Sequence, residues 1–241
     1  DHTFRNENSQ EIKFITDCPE CGTPLLKNEG EANHFCPNYL HCPPQLKGRI
    51  EHFISRKAMN IDGLGEETVD LLFSKNLIRN YADLYELKAE QLIVLERMGE
   101  KSASNIIRSI KSSLSVPYNR FLFAIGIRHV GETVAKTIAL RFRSIDELMS
   151  ADLESLTSVN EIGPKISSSI ISFFADVDNV LIINRLKDFG LRFSEEGTMG
   201  PESNKLEGKT IVISGVFQKH SRDEYKEMIE KNGGRNSSSI S

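Results

Sequence analysis

The stretch IDGLGEET, residues 61–68, contains the feature on which the fold depends. An apolar residue, Leu64, comes directly before Gly65, and a second, Ile61, stands four positions before that glycine. The segment that follows has apolar residues at helical spacing, so we expect a helix to begin at the glycine. Without a Cβ, a glycine at this point lets the backbone come close to a ligand.

The same pattern recurs three more times along the chain. The later copies are LERMGEKS at 95–102, IRHVGETV at 127–134 and VNEIGPKI at 159–166. Their anchor glycines, counted from Gly65, are spaced by 34, 32 and 32 residues, at Gly99, Gly131 and Gly163. A fixed period of this length indicates a repeated structural unit. The sequence therefore predicts a mainly α fold with four tandem helix-hairpin-helix motifs.

Each hairpin is expected to bind a phosphate group. The first turn of a helix has unpaired N–H groups and the positive end of the helix dipole, which together attract a phosphate oxygen without reading a base. Lys101 and Lys165 stand two positions after their anchor glycines and add a positive charge. The simpler interpretation is that each glycine merely separates two helices. Two positions before the anchor, only the first copy has a glycine, and the four residues there are Gly63, Arg97, His129 and Glu161.

The cysteines of the chain are confined to one short region. They follow the spacing C-x2-C-x14-C-x5-C, at Cys18, Cys21, Cys36 and Cys42. Two close pairs separated by a short loop are typical of a tetrahedral zinc site, and four thiolates leave no open position for a substrate. The zinc is therefore predicted to be structural. Two disulfides and an iron–sulfur cluster are the competing interpretations, and the neighbouring His34 and His41 are expected to be bystanders.

Positive charge is concentrated in the middle of the chain. The formal net charge is −4, yet residues 43–144 contain 16 basic and 11 acidic residues. The segment QLKGRIEHFISRKAM, residues 45–59, is expected to form a helix whose apolar stripe is surrounded by basic groups. Arg49, Arg56 and, at the third hairpin, Arg128 are the arginines predicted to contact a phosphate backbone. With no long apolar run and no signal peptide, the chain is expected to be soluble, without a membrane partner.

The last part of the chain has a different pattern. TIVISGVF, residues 210–217, is expected to be a strand, and SRDEYKEMIEKN, residues 221–232, a helix capped by Ser221 and ended by Gly233 and Gly234. This order of elements resembles the start of a BRCT domain, which is an α/β fold. A turn at ISG, residues 213–215, is a weak candidate for a further phosphate site.

The finger, residues 45–59, the four hairpins and the ending together resemble the C-terminal half of bacterial NAD-dependent DNA ligase. The resemblance implies five parts: a segment that follows an OB-fold (1–16), a four-cysteine zinc finger (17–45), a helix-hairpin-helix domain (46–194), a linker (195–204) and the N-terminal part of a BRCT domain (205–241). It also implies sequence-nonspecific binding of nicked double-stranded DNA, a monomer, and a bacterial cytoplasmic, nucleoid-associated location. NAD and Mg would be bound by the parent enzyme outside these residues.

The adenylation chemistry of such an enzyme has no counterpart in this sequence. A ligase of this family carries AMP on the lysine of a K-x-D-G motif, and KDFG at 187–190 has its aspartate in the wrong place. The 241 residues alone are therefore expected to be inactive. Two other functions remain open from the sequence. One is a noncatalytic repair scaffold that binds DNA structures, and the other is a base-excision glycosylase with an iron–sulfur cluster and Asp146 as its pocket acid.

Overall fold

The computed structural model describes residues 14–27, 30, 32–194, 203–215, 217 and 219–237. The chain divides into two compact units, residues 1–195 and 196–241. The described part of the first unit consists of a small finger and a helical domain, and the described part of the second is a short α/β segment. The predicted fold class, mainly α with hairpin motifs between a cysteine finger and an α/β ending, is confirmed.

The finger is built on two short antiparallel strands, β1 (Leu26–Lys27) and β2 (His34–Phe35). Its first turn is a tight knuckle, in which the amide of Gly22 donates to the carbonyl of Cys18 at 2.8 Å. Gly22 has a φ of +68°, a conformation that a residue with a Cβ rarely adopts. The turn directs the first two cysteine side chains toward the second pair.

The first two hairpins are formed by the helices that follow the finger. Their elements are α1 (Pro43–Ile54), α2 (Glu66–Ser74), a 3₁₀ helix (Tyr81–Glu86), α3 (Ala89–Ile93) and α4 (Glu100–Ser113). Helix α1 packs against α2, and α3 packs against α4. The amide of Asp62 donates to Ser109 Oγ at 2.7 Å, so the first hairpin is docked on α4 of the second.

The other two hairpins complete the helical domain. Their elements are α5 (Tyr118–Ala124), α6 (Glu132–Arg141), α7 (Ile145–Met149), α8 (Leu153–Thr157), α9 (Pro164–Ala175) and α10 (Val177–Asp188). Helix α5 packs against α6, and α8 against α9. Helix α10 turns back across the domain, and Arg185 pairs with Asp83 at 2.8 Å and with Glu86 at 2.7 Å.

Helix α1 is shorter than the sequence predicts. The helix expected over residues 45–59 ends at Ile54, because the chain then folds back on itself. The amide of Met59 donates to the carbonyl of Phe53 at 3.0 Å, and Asn60 takes a φ of +52°. This turn buries Ala58 and Met59 and leads directly into the first hairpin.

One hydrophobic core runs through the helical domain, from Ile50 to Leu191. The rings of Phe53 and Tyr81 stack at its centre, with centroids 4.5 Å apart and planes 6° apart. No single described helix is long and apolar enough to cross a membrane. Helices α9 and α10, which meet at a bend of 75°, are long and apolar enough only when taken together, by length and composition.

The described part of the second unit is a strand, a helix and a strand. Strand β3 (Thr210–Val212) pairs in parallel with β4 (Arg235–Ser237), and α11 (Arg222–Lys231) connects them. The predicted cap of α11 is confirmed, because Ser221 Oγ accepts from the amide of Glu224 and the Glu224 carboxylate accepts from the amide of Ser221. The predicted strand is longer than β3, and two of its neighbouring positions, 216 and 218, lie outside the described residues.

Candidate metal centre and nucleic-acid interface

The four cysteine sulfurs converge on one point of the finger. They all lie within 4.8 Å of one another. Cys18 Sγ is 3.8 Å from Cys42 Sγ, and Cys21 Sγ is 3.5 Å from Cys36 Sγ. Four sulfurs placed about 2.3 Å from a central zinc ion in a tetrahedron would lie about 3.8 Å apart. The arrangement therefore fits one zinc ion and is too tight for a cluster of several iron and sulfide atoms.

The thiols are not joined as disulfides. The sulfur–sulfur distances of 3.5 and 3.8 Å are well beyond a bond of about 2.05 Å. Burial raises the pKa of Cys42 to about 12, whereas hydrogen bonds with Thr23 lower the pKa of Cys21 to about 6. With its pKa raised, the Cys42 thiol gives up a proton when it binds a metal ion as a thiolate. His34 lies outside the cluster and stacks on Phe14, with centroids 6.3 Å apart.

The segment around the third cysteine ties the finger to the helical domain. The Tyr39 hydroxyl donates a hydrogen bond to the carboxylate of Asp176, which caps the N-terminus of α10. The guanidinium of Arg49 lies 5.5 Å from the centroid of the Tyr39 ring and donates to Asn179 Oδ1 at 3.0 Å. A metal at the four cysteines thus holds in place a loop that contacts helices far along the chain.

The four anchor glycines share one geometry. Each precedes the first residue of a helix, with φ between −93° and −82° and an extended ψ, at Gly65, Gly99, Gly131 and Gly163. All four are exposed, and a Cβ built on any of them meets no atom within 4 Å. The first-turn amides that follow each glycine therefore open onto accessible space, as a phosphate site requires.

The residues two positions before the anchors also share one backbone conformation. Their φ angles are +87°, +60°, +66° and +66°, at Gly63, Arg97, His129 and Glu161. A left-handed backbone costs a residue with a Cβ roughly 1–2 kcal/mol. The hairpin shape is thus kept in the copies that lack a glycine there. Sequence patterns gave no signal of this, because those three residue types do not by themselves predict a positive φ.

The predicted DNA-binding residues fall into separate groups on the helical domain. Arg56 is exposed and borders a depression together with Gly63 and Gly65 of the first hairpin. Lys101 is exposed in the first turn of α4. The other three basic residues, Arg49, Arg128 and Lys165, line one cleft between the finger and the third and fourth hairpins.

Several contacts that position these groups were not found from the sequence. Arg120 donates to the carbonyls of Arg56 and Lys57, at 2.5 and 3.2 Å, and holds the turn after α1 against α5. His52 lies 2.8 Å from the carbonyl of Phe123 and packs its ring against that side chain. These pairs are more than sixty residues apart in the chain, so no local pattern could reveal them.

Comparisons with known proteins agree with this geometry. The finger matches the family described as the NAD-dependent DNA ligase C4 zinc finger domain over residues 17–43. The first two hairpins match a SAM-like helix-hairpin-helix tandem over 55–112, and the other two match a helix-hairpin-helix motif over 120–183. Residues 201–241 match the BRCA1 C Terminus (BRCT) domain. Together, these four matches fit the C-terminal portion of a DNA ligase.

Similar DNA ligases come from several bacteria. The chain is 55% identical over 242 residues to a DNA ligase of Bacteroides fragilis, a match that covers 100% of the chain and 36% of the relative. It is 58% identical over 231 residues to a DNA ligase of Phocaeicola vulgatus, covering 95% of the chain and 35% of the relative. The chain is 53% identical over 238 residues to the DNA ligase of Flavobacterium johnsoniae, a match that covers 98% of the chain and 36% of the relative. The chain thus spans about a third of the length of these ligases.

Proposed function

We propose that this chain is the DNA-holding portion of an NAD-dependent ligase that seals nicks in duplex DNA during replication and repair. The observation that carries the proposal is the shared geometry of the four hairpins. In each, an exposed glycine comes immediately before a helix N-terminus, with open space where a Cβ would stand. Amides placed in this way bind phosphate oxygens and carry no base information, so affinity is nearly equal across sequences.

The predicted basic residues supplement these amides. Lys101 and Lys165 stand in the first turns of α4 and α9, and Arg56 borders the first hairpin. The depression beside that hairpin also contains the carboxylates of Glu51, Asp62 and Glu66, and Arg56 is the one basic residue among its described lining. A duplex lying across several hairpins touches several of its phosphates at once. Binding is therefore strongly salt-dependent.

The parent enzyme performs nucleotidyl transfer with NAD and Mg, which bind outside this part of the sequence. The 241 residues alone, which lack a K-x-D-G motif, neither accept AMP from NAD nor join a nick. The zinc ion is structural, since Cys18, Cys21, Cys36 and Cys42 fill its four positions. The protein acts as a monomer in the bacterial cytoplasm, in association with the nucleoid.

The test compares three variants on nicked duplex DNA at several salt concentrations. Gly99→Val places a branched side chain at the backbone approach itself, so we expect it to weaken binding more than Lys101→Ala does. The logarithm of the binding constant falls linearly with the logarithm of the salt concentration. Removing the charge that neutralises one phosphate should reduce the magnitude of that slope by about 0.9. Lys111→Ala is the matched control, because it removes a lysine from the same helix, about 15 Å further along its axis.

Two results would contradict the proposal. If a folded Gly99→Val variant binds nicked duplex as the parent does, the second hairpin is only a helix connector. If the purified chain takes up AMP from NAD, its domain content has been misassigned. A scaffold function without ligase chemistry has no specific observation in its favour.

A further inference from the structure

A large cleft lies between the finger and the second pair of hairpins. Its walls are the segment after β2, helix α1, the third hairpin and one face of α9. Its volume is about 1330 Å³, which exceeds the roughly 300–1,000 Å³ typical of pockets for a single small ligand. The duplex contacts proposed above use exposed helix N-termini, and they leave the interior of this cleft without a function.

The charge of the cleft is positive. Arg49, Arg128 and Lys165 line it from three different elements, and none of its described lining residues is an aspartate or glutamate. The carboxylate of Asp176 accepts a hydrogen bond from Tyr39, a lining residue, and that hydrogen bond lowers the pKa of Asp176. An anion entering the cleft therefore meets more positive than negative charge.

Two arginines of the cleft are stacked on aromatic rings. The guanidinium of Arg128 lies 5.6 Å from the centroid of the Phe35 ring, and that of Arg49 lies 5.5 Å from the centroid of the Tyr39 ring. Such stacking fixes the plane of a guanidinium group. Arg49 also lies 5.7 Å from the centroid of the buried Tyr81 ring. Unpaired bases stack on guanidinium planes and on aromatic side chains, so the Arg128–Phe35 pair offers a surface for a base as well as charge for a phosphate.

Helix α9 contributes a polar face to the same cleft. Lys165, Ser168 and Ser172 all line it, and their spacing of three and four residues places them on one side of the helix. Serine hydroxyls and a lysine are groups that commonly bond phosphate oxygens of nucleic acids. Spread over two turns of helix, they can bond successive phosphates of one strand.

We propose that this cleft binds a single-stranded segment of DNA. A double helix is convex and touches a concave cleft only at its rim, whereas a single strand fits inside and exposes its bases for stacking. A basic groove combined with stacking surfaces is the arrangement that single strands require. The inference rests on the proposed function in taking DNA as the ligand. None of the four anchor glycines lines the cleft, although Lys165 stands both at the fourth hairpin and in the cleft.

The test measures binding of a fluorescent twelve-residue oligothymidine and of a closed hairpin duplex to the whole chain. Ser172→Glu places a carboxylate in the cleft, and we expect it to weaken oligothymidine binding about ten-fold. Ser112→Glu is the matched control, since it adds the same charge to an exposed position of α4 that does not line the cleft. Lys165→Ala provides a second variant, which should reduce the salt slope for the oligonucleotide by about 0.7.

The outcomes separate this inference from the proposed function. If Ser172→Glu loses oligothymidine binding while Ser112→Glu binds as tightly as the parent, the result supports binding of a single strand in the cleft. Equal affinities in Ser172→Glu, Ser112→Glu and the parent would overturn it, as would a parent that does not bind the oligonucleotide. Gly99→Val should weaken duplex binding and keep oligothymidine binding. If the duplex does not bind while oligothymidine binding depends on residue 172, the proposed function is wrong and the single-strand site in the cleft is still supported.

Discussion

At the scale of single residues, the first hairpin differs from the others in one close contact. A Cβ built on Gly63 would lie 2.9 Å from Ile106 Cγ1 on α4, and the φ of Gly63 is +87°. The first hairpin can approach α4 this closely because it has a glycine at this position. The contact binds the first pair of hairpins together and explains why glycine is needed in this copy.

Gly63→Ala is therefore expected to destabilise the protein by about 1–3 kcal/mol, through strain and overpacking. Gly65→Ala is the matched control, because Gly65 has a φ of −93° and open space around it. Urea unfolding of the two variants measures the difference. If Gly63→Ala is as stable as Gly65→Ala, the docking of the first hairpin on α4 is looser than the contact implies.

The metal centre gives a second prediction for single residues. Cys21→Ser should lose the zinc ion, increase amide hydrogen exchange over residues 17–45 and weaken DNA binding, because one of four thiolates is missing. His34→Gln alters a residue two positions from Cys36 that lies outside the cluster, and it should keep one zinc per chain. Metal analysis of both variants and of the parent checks this. Stoichiometric iron in the parent would show that the metal has been misassigned.

The sequence leads to predictions for individual residues most readily where their roles depend on local spacing. Cys18, Cys21, Cys36 and Cys42 were identified together because zinc ligation restricts their spacing. Arg49 illustrates the opposite case. The sequence predicts it as a phosphate contact, yet its guanidinium also bonds Asn179, 130 positions away, and stacks on Tyr39. Contacts of that kind depend on the packed structure and leave no local pattern.

At the scale of elements, the hairpin helices start differently from α7, α8 and α10. The hairpin helices begin after a glycine with no side-chain cap, so their first amides stay open for a ligand. Helices α7, α8 and α10 begin instead at Ser144, Asp152 and Asp176, whose side chains accept from first-turn amides. The hairpin helices thus lack the side-chain cap that α7, α8 and α10 have, and α1 and α5 lack it as well.

The cap of α10 predicts a dependence of stability on pH. The hydrogen bond from Tyr39 lowers the pKa of Asp176 below its unfolded value of about 3.9. The charged Asp176 carboxylate therefore contributes its full stabilisation above the unfolded pKa, and this stabilisation is lost as the pH falls through the folded pKa. Asp176→Asn keeps a capping side chain and removes the charge, so its free energy of unfolding should fall less between pH 5 and pH 3 than that of the parent.

The matched control for this experiment is Asp178→Asn, which removes the same charge from the same first turn. Urea titrations at several pH values measure all three proteins. Burial, and then the hydrogen bond to Asp176, raise the pKa of Tyr39, so the contact also persists to higher pH than an ordinary tyrosine would allow. An identical acid dependence in the parent and in Asp176→Asn would show that the contact between the finger and α10 adds no stability.

The elements themselves were predictable to different degrees. The helices after Gly65, Gly99 and Gly131 were expected because a glycine followed by helical periodicity is a local signal. The end of α1 at Ile54 was missed, since Ala58 and Met59 continue an apolar pattern and their burial in a turn depends on distant core residues. The cleft was also missed, because it lies between elements that are far apart in the sequence.

At the scale of the whole molecule, the two units differ in how much apolar surface they bury. The core of the first unit extends over its helical domain, whereas among the described residues of the second unit Ile229 is the one buried hydrophobic side chain. So small a core provides little stability, since conformational entropy opposes folding at every residue. The described part of the second unit is therefore expected to open far more often than the helical domain.

Native-state hydrogen exchange tests this difference directly. Amides of α4 and α9 should show strong protection, while those of α11 and β4 should exchange at rates close to those of an unfolded chain. A chain shortened to residues 1–195 should keep its zinc ion, its thermal midpoint and its affinity for nicked duplex. Equal protection in both units would show that the second unit is more stable than its small core implies. Loss of duplex binding on shortening would show that the second unit takes part in binding.

The shared left-handed backbone at Gly63, Arg97, His129 and Glu161 has a consequence for engineering. Because the backbone conformation is the same whichever side chain stands there, the position is a variable site on a constant frame. Exchanging Glu161 for the arginine or histidine of another copy should change the charge beside a hairpin while the amides keep their places. Variants made at these positions would form a graded series, in which the strength of attachment to a polyanion is adjusted one hairpin at a time.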